Sequence, residues 1–384
     1  MTKQLRLFIA ELTRAQEGAM CFAQRLQFMH GALAVRSNSM KAMAAVNERF
    51  IHYLDTGHDA SIVPVAADII LVKKCDFPRS DGNSHAFQGD VFCHDQDNGS
   101  EFLWQGNRVL VQFSSDPQAR ISIIVNQPGR AEKPATKKRE AGKVPLKGGV
   151  NFVNWEEIAD LLFLIFARIR GNICLHAACL SYHGRGLLIT GSSGSGKSTA
   201  ALSLLRGGFT YHSDEITVIP ESSGDPYLVS GLLLNPRIRA RIASLYDLEK
   251  SIHSPISGAS ITQALPARVI AAGKSKAVRP FAVVVIDYVR QRKTHHQISD
   301  LDEQSALVMM LGQVLDPTSH TRPRQVFESL CRLTGMSRLF KLEAGTDLAS
   351  LPAFLKRHAF GHESAGVAAG AGDHFQNDPS EIRD

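Results

Sequence analysis

The feature that most constrains this chain is the octapeptide GSSGSGKS at Gly191–Ser198. Its glycines allow backbone angles that aim successive N–H groups at an anion, and a lysine and a hydroxyl follow directly. The apolar run LLIT precedes it, and Thr199–Arg206 reads as a helix that Gly207 stops. A full G-x-x-x-x-G-K-[ST] match between a strand and a helix predicts a nucleotide phosphate site in an α/β domain.

The candidate nucleotide-binding residues form the loop and the first turn of the helix. They are Gly191, Ser192, Ser193, Gly194, Ser195, Gly196, Lys197, Ser198 and Thr199. Lys197 is placed to reach the β and γ phosphates and is also a candidate catalytic residue, and the Ser198 hydroxyl suits Mg²⁺. The predicted cofactors are therefore ATP and Mg²⁺.

An acidic pair follows the loop closely. Asp214 and Glu215 come 17 and 18 residues after Lys197, between the strand patterns FTYHS and ITVI. Two adjacent acids in a turn are often only solvated. After a phosphate loop, however, a short strand returns such acids to the place where a carboxylate can meet a metal or an acceptor hydroxyl.

His176 lies on the predicted strand that precedes the loop, 15 residues before Gly191. A lone histidine in an apolar strand is more often a satisfied core residue than a functional one. We keep both interpretations open for this position.

Composition limits the class of protein. Hydrophobic residues make up 44% and charged residues 21% of the 384, which is typical of a soluble globular protein, and the net charge of +6 is too small to predict a nucleic-acid partner. Six scattered cysteines predict reduced thiols. No signal peptide is predicted, and the longest strongly apolar run, Leu161–Ala167, is too short for a bilayer, so we expect a cytoplasmic protein without a membrane partner.

The pattern divides the chain into two domains. Residues 1–126 predict a smaller α+β domain: helices through residue 29 and over 40–54, a strand at GALAVRS before a helix cap among residues 37–39, and an antiparallel sheet over 61–126. Residues 127–150 are rich in Lys and Arg and predict a flexible basic linker rather than a phosphate-binding patch. The catalytic domain spans 151–361 and opens with a helix capped by Asn154, and 362–384 predict a disordered tail.

The segment from Leu175 to Ile219 resembles the catalytic core of HPr kinase/phosphorylase, which has a histidine on a hairpin, the loop, and then an acidic pair. The resemblance implies the PEP-carboxykinase-like type of P-loop kinase domain. It also implies nucleotide and Mg²⁺ roles for Lys197 and Ser198, action of Asp214 on the acceptor hydroxyl, and a place near the metal for Glu215. His176 matches the upstream catalytic histidine of the family.

The N-terminal segment ALAVRSNSMKAMAAVNERF is similar to the HPr-kinase-related proteins called kinase B. That subfamily is thought to be encoded beside an ATP-grasp protein in bacteria. The similarity names no substrate, so the acceptor is expected to be a serine of a small partner protein or a small hydroxyl compound.

Three departures separate this chain from HPr kinases. Glu215 stands where they have a second aspartate, Thr199 stands where they have a glutamate, and their RGxG signature is missing. Arg237 and Arg239 lie in the comparable region, where we favour an exposed solvated face over a site for a transferred phosphate. Phosphorylase activity is therefore not predicted.

Two other functions stay open. A metabolite kinase of the shikimate or gluconate sort also has GSGKST followed soon by acids, but such proteins usually begin with the loop. A nucleotide-gated binding module without transfer activity would explain Thr199 and the missing signature. The sequence leaves open whether the chain forms a homo-oligomer.

Overall fold

The structure is a computed structural model in which only part of the chain is described. It describes residues 2–54, 62–73, 77, 83–87, 90–97, 100–105, 108–114, 119–127, 154–221, 226–239, 251–252, 260–263, 265, 267–273, 276–287, 294–316, 318 and 321–361. Most of the predicted linker and all of the predicted tail lie outside these residues.

The first third of the chain forms one sheet of eight strands with two helices. The strands are β1 Phe22–Phe28, β2 Gly31–Ser37, β3 Val65–Lys73, β4 Asn83–Phe87, β5 Asp90–Asp97, β6 Ser100–Gln105, β7 Val109–Ser114 and β8 Arg120–Gln127. The helices are α1 Thr2–Gln16 and α2 Met40–Arg49, with 3-10 turns at Glu17–Ala19 and Ile51–Tyr53. The order across the sheet is β1-β2-β3-β8-β7-β6-β5-β4.

The predicted helix through residue 29 is wrong in its second half, where the chain forms β1. Phe22 and Leu26 are four residues apart, which is helical spacing, but Phe22, Leu26 and Phe28 also share one face of a strand. The segment forms a strand because β1 pairs antiparallel with β2 along its whole length, and this pairing buries Leu26 and Phe28.

The antiparallel sheet predicted over 61–126 is correct for β4 to β8, whereas β3 is parallel to both of its neighbours. The reason is the helix between β2 and β3. Parallel neighbours need a crossover connection, and α2 provides it. The side chain of Ser39 caps α2 by accepting from the Ala42 N–H, as the sequence predicts.

The remainder of the described chain forms a second sheet with flanking helices. Its helices are α3 Trp155–Ile169, α4 Lys197–Arg206, α5 Ala267–Gly273, α6 Glu303–Leu311, α7 Pro323–Gly335 and α8 Leu351–Ala359. Its strands are β9 Asn172–Tyr182, β10 Arg185–Thr190, β11 Thr210–Ser213, β12 Ile216–Pro220, β13 Val229–Gly231, β17 Ala277–Ile286, β18 Gln297–Asp300 and β19 Arg338–Glu343. A separate small sheet holds β14 Arg237–Arg239, β15 Ser251–Ile252 and β16 Ser260–Gln263.

Local signals fix several ends of these elements. Asn154 caps α3 by accepting from the Glu156 N–H, and Gly171, with φ +68°, follows its last turn. The β9–β10 hairpin forms as predicted, and α4 starts two residues before Thr199 and ends at Arg206. The structure is therefore a mixed α/β fold with two large sheets.

The two sheets share one hydrophobic core through α3. Nine apolar residues of α3, between Ile158 and Ala167, are buried, and Phe28 of β1 lies 5.1 Å from Phe163 and 5.3 Å from Phe166 between ring centroids. Among the described residues, no helix is both long and apolar enough to cross a membrane. The division into two domains stays a prediction, but the two parts are packed together here.

Candidate functional site

The phosphate loop connects β10 to α4 and depends on its glycines. Gly191, Gly194 and Gly196 have φ values of +144°, +79° and +108°, which side-chain-bearing residues rarely adopt. A Cβ on Gly191 would also lie 2.3 Å from the carbonyl oxygen of Ile286, at the end of the neighbouring parallel strand β17. The predicted strand, loop and helix are all present.

Lys197, the first residue of α4, folds back over the loop. Its side chain is buried, and Nζ donates to the carbonyl oxygens of Gly191 at 2.7 Å and Ser192 at 3.2 Å. Burial lowers the pKa of Lys197 to about 8, against the opposing effect of the Asp214 and Glu215 charges. A buried cation at the start of a helix, with no side chain capping Gly196, is suited to an incoming anion.

Asp214 lies in the turn between β11 and β12, and both strands pair antiparallel with β9. It is buried and accepts a 2.8 Å hydrogen bond from the Tyr211 hydroxyl at Oδ1, and the side chain of Ser198 lies close enough to influence its pKa. Burial and the charge of Glu215 raise its pKa, while the Tyr211 and Ser198 hydroxyls oppose the rise. The structure thus brings Asp214 to the loop helix.

Glu215 binds an arginine from the first part of the chain. Its Oε2 accepts a 2.7 Å hydrogen bond from Nη2 of Arg49, which comes from the end of α2. The same guanidinium binds Asp160 of α3, from Nε to Oδ1 at 2.7 Å and from Nη2 to Oδ2 at 3.2 Å. Burial alone would lower the pKa of Arg49, but the charges of Glu215 and Asp160 outweigh it and raise the pKa.

Sequence reasoning missed Arg49, although a signal was present. The buried residues of α2 are Ala42, Met43, Val46 and Arg49, which is one helical face. A charged residue on an otherwise apolar face needs a buried partner, because an unpaired charge is costly there. That rule would have marked Arg49 as paired without identifying its partners.

His176 lies on β9 directly opposite Ile216 of β12, next to the acidic pair. Its pKa is lowered by burial and by the charge of Lys197, while Glu215 opposes the shift. The histidine is therefore close enough for the charges of Lys197 and Glu215 to act on it, whereas the side-chain hydrogen bond to Asp214 comes from Tyr211. Its positioning role stays a prediction.

The remaining candidates fall around the loop. Ser192, Ser193 and Gly194 are exposed, Ser195 is buried, and Ser198 and Thr199 are half-buried in the first turn of α4. Arg237 and Arg239 lie on β14, which packs near α4.

In the part of the chain that the structure describes, no three His, Cys, Asp or Glu side chains group together as a metal site would require. A Mg²⁺ ion does not need such a group of side chains, because it is usually held by one or two carboxylates together with phosphates and waters. Ser198 and Glu215 are the candidates to hold it beside a nucleotide.

Comparison with known proteins gives a partial similarity. Over 81 residues, or 20% of this chain, the sequence is 33% identical to a protein of Clostridium novyi named HPr kinase/phosphorylase. The match spans 26% of that protein's length. No protein-family model matches the chain. The similarity hints at the HPr-kinase-like family and a kinase-type activity, without indicating a subfamily.

Proposed function

We propose that this protein is an ATP-dependent phosphotransferase of the HPr-kinase type, which moves the γ-phosphate of ATP to a hydroxyl group. One observation carries the proposal: Asp214 is a buried carboxylate with a raised pKa, oriented by the Tyr211 hydroxyl and close to Ser198 in the first turn of the loop helix. A general base works best when its pKa is nearer the working pH than that of a free carboxylate.

The loop and Lys197 would hold the nucleotide. The exposed loop residues Ser192, Ser193 and Gly194 and the uncapped start of α4 favour the β and γ phosphates, and Lys197 would exchange its two carbonyl partners for phosphate oxygens. When bound, Mg²⁺ supplies neutralisation of the charge on the phosphates. Ser198 and Glu215 would hold it.

Asp214 would act on the acceptor. Its carboxylate takes the proton of the acceptor hydroxyl while the hydroxyl oxygen bonds to the γ-phosphorus, the bond to the β–γ bridging oxygen breaks, and ADP leaves. The Tyr211 hydroxyl fixes the orientation of the carboxylate. His176 would stay neutral at neutral pH, because burial and Lys197 lower its pKa, and so would not compete as a cation for the phosphates.

The acceptor class is also a proposal. The relative is named as a kinase of HPr. By analogy, the first candidate acceptor for this chain is a serine of a small partner protein. A small hydroxyl compound is the second candidate. The proposal covers the kinase direction only, because the arginine–glycine signature is missing from this sequence.

The test is transfer of label from [γ-³²P]ATP. The full chain is incubated with Mg²⁺ and with a panel of small proteins and hydroxyl compounds, in parallel with Asp214→Asn. We expect Asp214→Asn to keep ATP binding by calorimetry and to lose transfer by roughly 10²–10⁴-fold. Asp316→Asn is the matched control, since Asp316 is equally buried but is paired with Arg322 away from the loop. Wild-type transfer rates in Asp214→Asn would overturn the mechanism, and binding of ATP without any transfer would favour a binding module.

A further inference from the structure

An arginine lies on the apolar face of α2. Arg49 is the last residue of α2 and lies on the helix face that buries Ala42, Met43 and Val46. Its side chain is only 5% exposed. Phe50, the next residue, packs against Phe28.

Two elements hold the guanidinium in a fixed orientation. Asp160 of α3 binds it through two parallel hydrogen bonds, which fix the plane of the fork. The nitrogen Nη2 that binds Asp160 also donates to Glu215. The contact from Asp160 through Arg49 to Glu215 is therefore one connected arrangement, and the donor offered to Glu215 has little freedom to move.

The Glu215 carboxylate binds Arg49, and its charge also acts on Lys197. Its side chain is 34% exposed, and Oε2 is the oxygen that Arg49 binds. The charges of Glu215 and Asp214 both act on Lys197 in the loop. Three carboxylates, at Asp160, Asp214 and Glu215, are thus grouped with two cations, Arg49 and Lys197.

The residues after Arg49 also contact the segment between β13 and β14. The ring nitrogen Nε2 of His52 lies 3.0 Å from Oδ1 of Asn235, and the Tyr53 hydroxyl accepts a 2.7 Å hydrogen bond from the Leu233 N–H. The segment 49–53 therefore bridges to the elements that follow the acidic pair, and Arg49 is not an isolated contact.

We infer that Arg49 is a positioning residue of the candidate site: held by Asp160, it fixes the Glu215 carboxylate beside the phosphate loop. The site is then built from both parts of the chain, not from the loop-containing part alone. This inference rests on the proposed function in that Glu215 is taken to act at the Mg²⁺–nucleotide complex.

The decisive measurement is the Mg²⁺ concentration that half-saturates ATP binding, by calorimetry on the full chain. Positioning predicts that Arg49→Met, Arg49→Lys and Asp160→Asn each raise it about tenfold or more, because removing an outer partner of a metal ligand typically costs 10–100-fold in affinity. Lysine keeps the charge but cannot form the two parallel bonds.

A purely electrostatic role gives a different pattern. Removing the Arg49 cation would then lower the Mg²⁺ requirement, removing the Asp160 anion would raise it, and Arg49→Lys would behave as wild type. That pattern would overturn the inference, and so would an unchanged requirement in all three variants. Should Arg49→Met fail to fold, Arg49→Lys and Asp160→Asn carry the test.

Arg168 provides the matched control. It is a largely buried arginine of α3, 10% exposed, whose ion pair with Glu101 of β6 also joins the two parts of the chain. Arg168→Met is expected to lower the melting temperature without changing the Mg²⁺ requirement. An equal change in Arg168→Met would assign the effect of Arg49 to general packing.

A second readout needs no nucleotide. The free energy of unfolding in urea is measured for Arg49→Lys, for Glu215→Gln and for the double variant. If the two residues interact, the double variant loses less stability than the sum of the losses of the two single variants. Strict additivity would overturn the contact itself. Absence of Mg²⁺–ATP binding in wild type would overturn the proposed function and this inference together, whereas wild-type behaviour of the variants would overturn this inference alone.

Discussion

The Tyr211 hydroxyl and the Asp214 carboxylate are joined by a 2.8 Å hydrogen bond between two buried side chains, three residues apart in the chain. The tyrosine is fully covered, and burial and the Asp214 charge raise its pKa, so it stays a proton donor at any ordinary pH. Asp214 therefore keeps one oxygen on Tyr211, and its carboxylate has a set orientation.

Tyr211→Phe should shift the pH dependence of transfer. The hydrogen bond lowers the pKa of Asp214, so its loss raises that pKa, and the acidic limb of the rate profile should move to higher pH. ATP binding at pH 8 should not change. Tyr227→Phe is the control, because Tyr227 is a buried tyrosine whose hydroxyl donates to the Ser329 carbonyl oxygen elsewhere. An acidic limb in the same place for Tyr211→Phe and wild type would show that Asp214 is not the titrating base.

ATP binding should take up a proton above pH 8. Lys197 has a pKa of about 8 in the free protein, and phosphate oxygens favour its charged form, so binding raises that pKa. Above about pH 8 the free lysine is increasingly neutral and must regain its proton, hence the affinity should fall by up to tenfold per pH unit. Calorimetry in buffers of different ionisation enthalpy measures the uptake.

The control for that experiment is Lys356, a second lysine that contacts an end of α4. Lys356 donates to the Gly207 carbonyl oxygen at the far end of α4. Lys197→Ala should abolish the uptake and weaken binding several-fold or more, and Lys356→Ala should do neither. Binding without uptake at pH 9 would mean that Lys197 does not meet the phosphates.

Gly191→Ala should abolish ATP binding in a protein that still folds. The added Cβ would lie 2.3 Å from the Ile286 carbonyl oxygen, so the loop must move away from β17. Gly184→Ala, in the β9–β10 turn, is the matched control, since it has a positive φ of +75° but open space around its Cβ. That variant should lose about 1 kcal/mol of stability and keep ATP affinity. Equal binding by Gly191→Ala would show that the loop tolerates the shift.

Cleavage within residues 128–150 should leave the two parts of the chain associated. The segment is rich in trypsin sites, and the aromatic contacts of Phe28 with Phe163 and Phe166 and the ion pair of Arg49 with Asp160 join the parts on either side. Nicked protein should run as one peak in size exclusion and as two bands in a denaturing gel. Separate elution of two folded fragments would mean that the shared core contributes little.

Much of the local structure could be predicted from the sequence, because it is determined by neighbouring residues. The Ser39 and Asn154 caps, the glycine loop and the β9–β10 hairpin each depend on signals within a few positions. The strand β1 could not be separated from a helix, since its apolar spacing fits both patterns and only pairing with β2 decides.

The site residues that follow one another closely in the chain could be predicted, whereas Arg49, which reaches the site only through the fold, was missed. Lys197, Ser198 and Asp214 lie together as expected. The direction of Tyr211 depends on an irregular pairing of β11 with β9 between Tyr211 and Ser213, which no pattern shows. Arg49 meets Glu215 across 166 positions, and single-sequence periodicity carries no information about such a pairing.

That long separation has a consequence for how the protein is made. At about 5–20 residues per second, roughly 10–30 s pass on the ribosome between the synthesis of Arg49 and that of Glu215. Until α3 has been made, Phe28 and Phe50 lack Phe163 and Arg49 lacks Asp160, and Arg49 lacks Glu215 for the whole interval. The first part of the chain therefore cannot reach its final form during its own synthesis, and it becomes native only when the phosphate loop and acidic turn have emerged. Because these contacts join distant parts of the chain, we expect the N-terminal part and the candidate site to complete their folding together, late in synthesis.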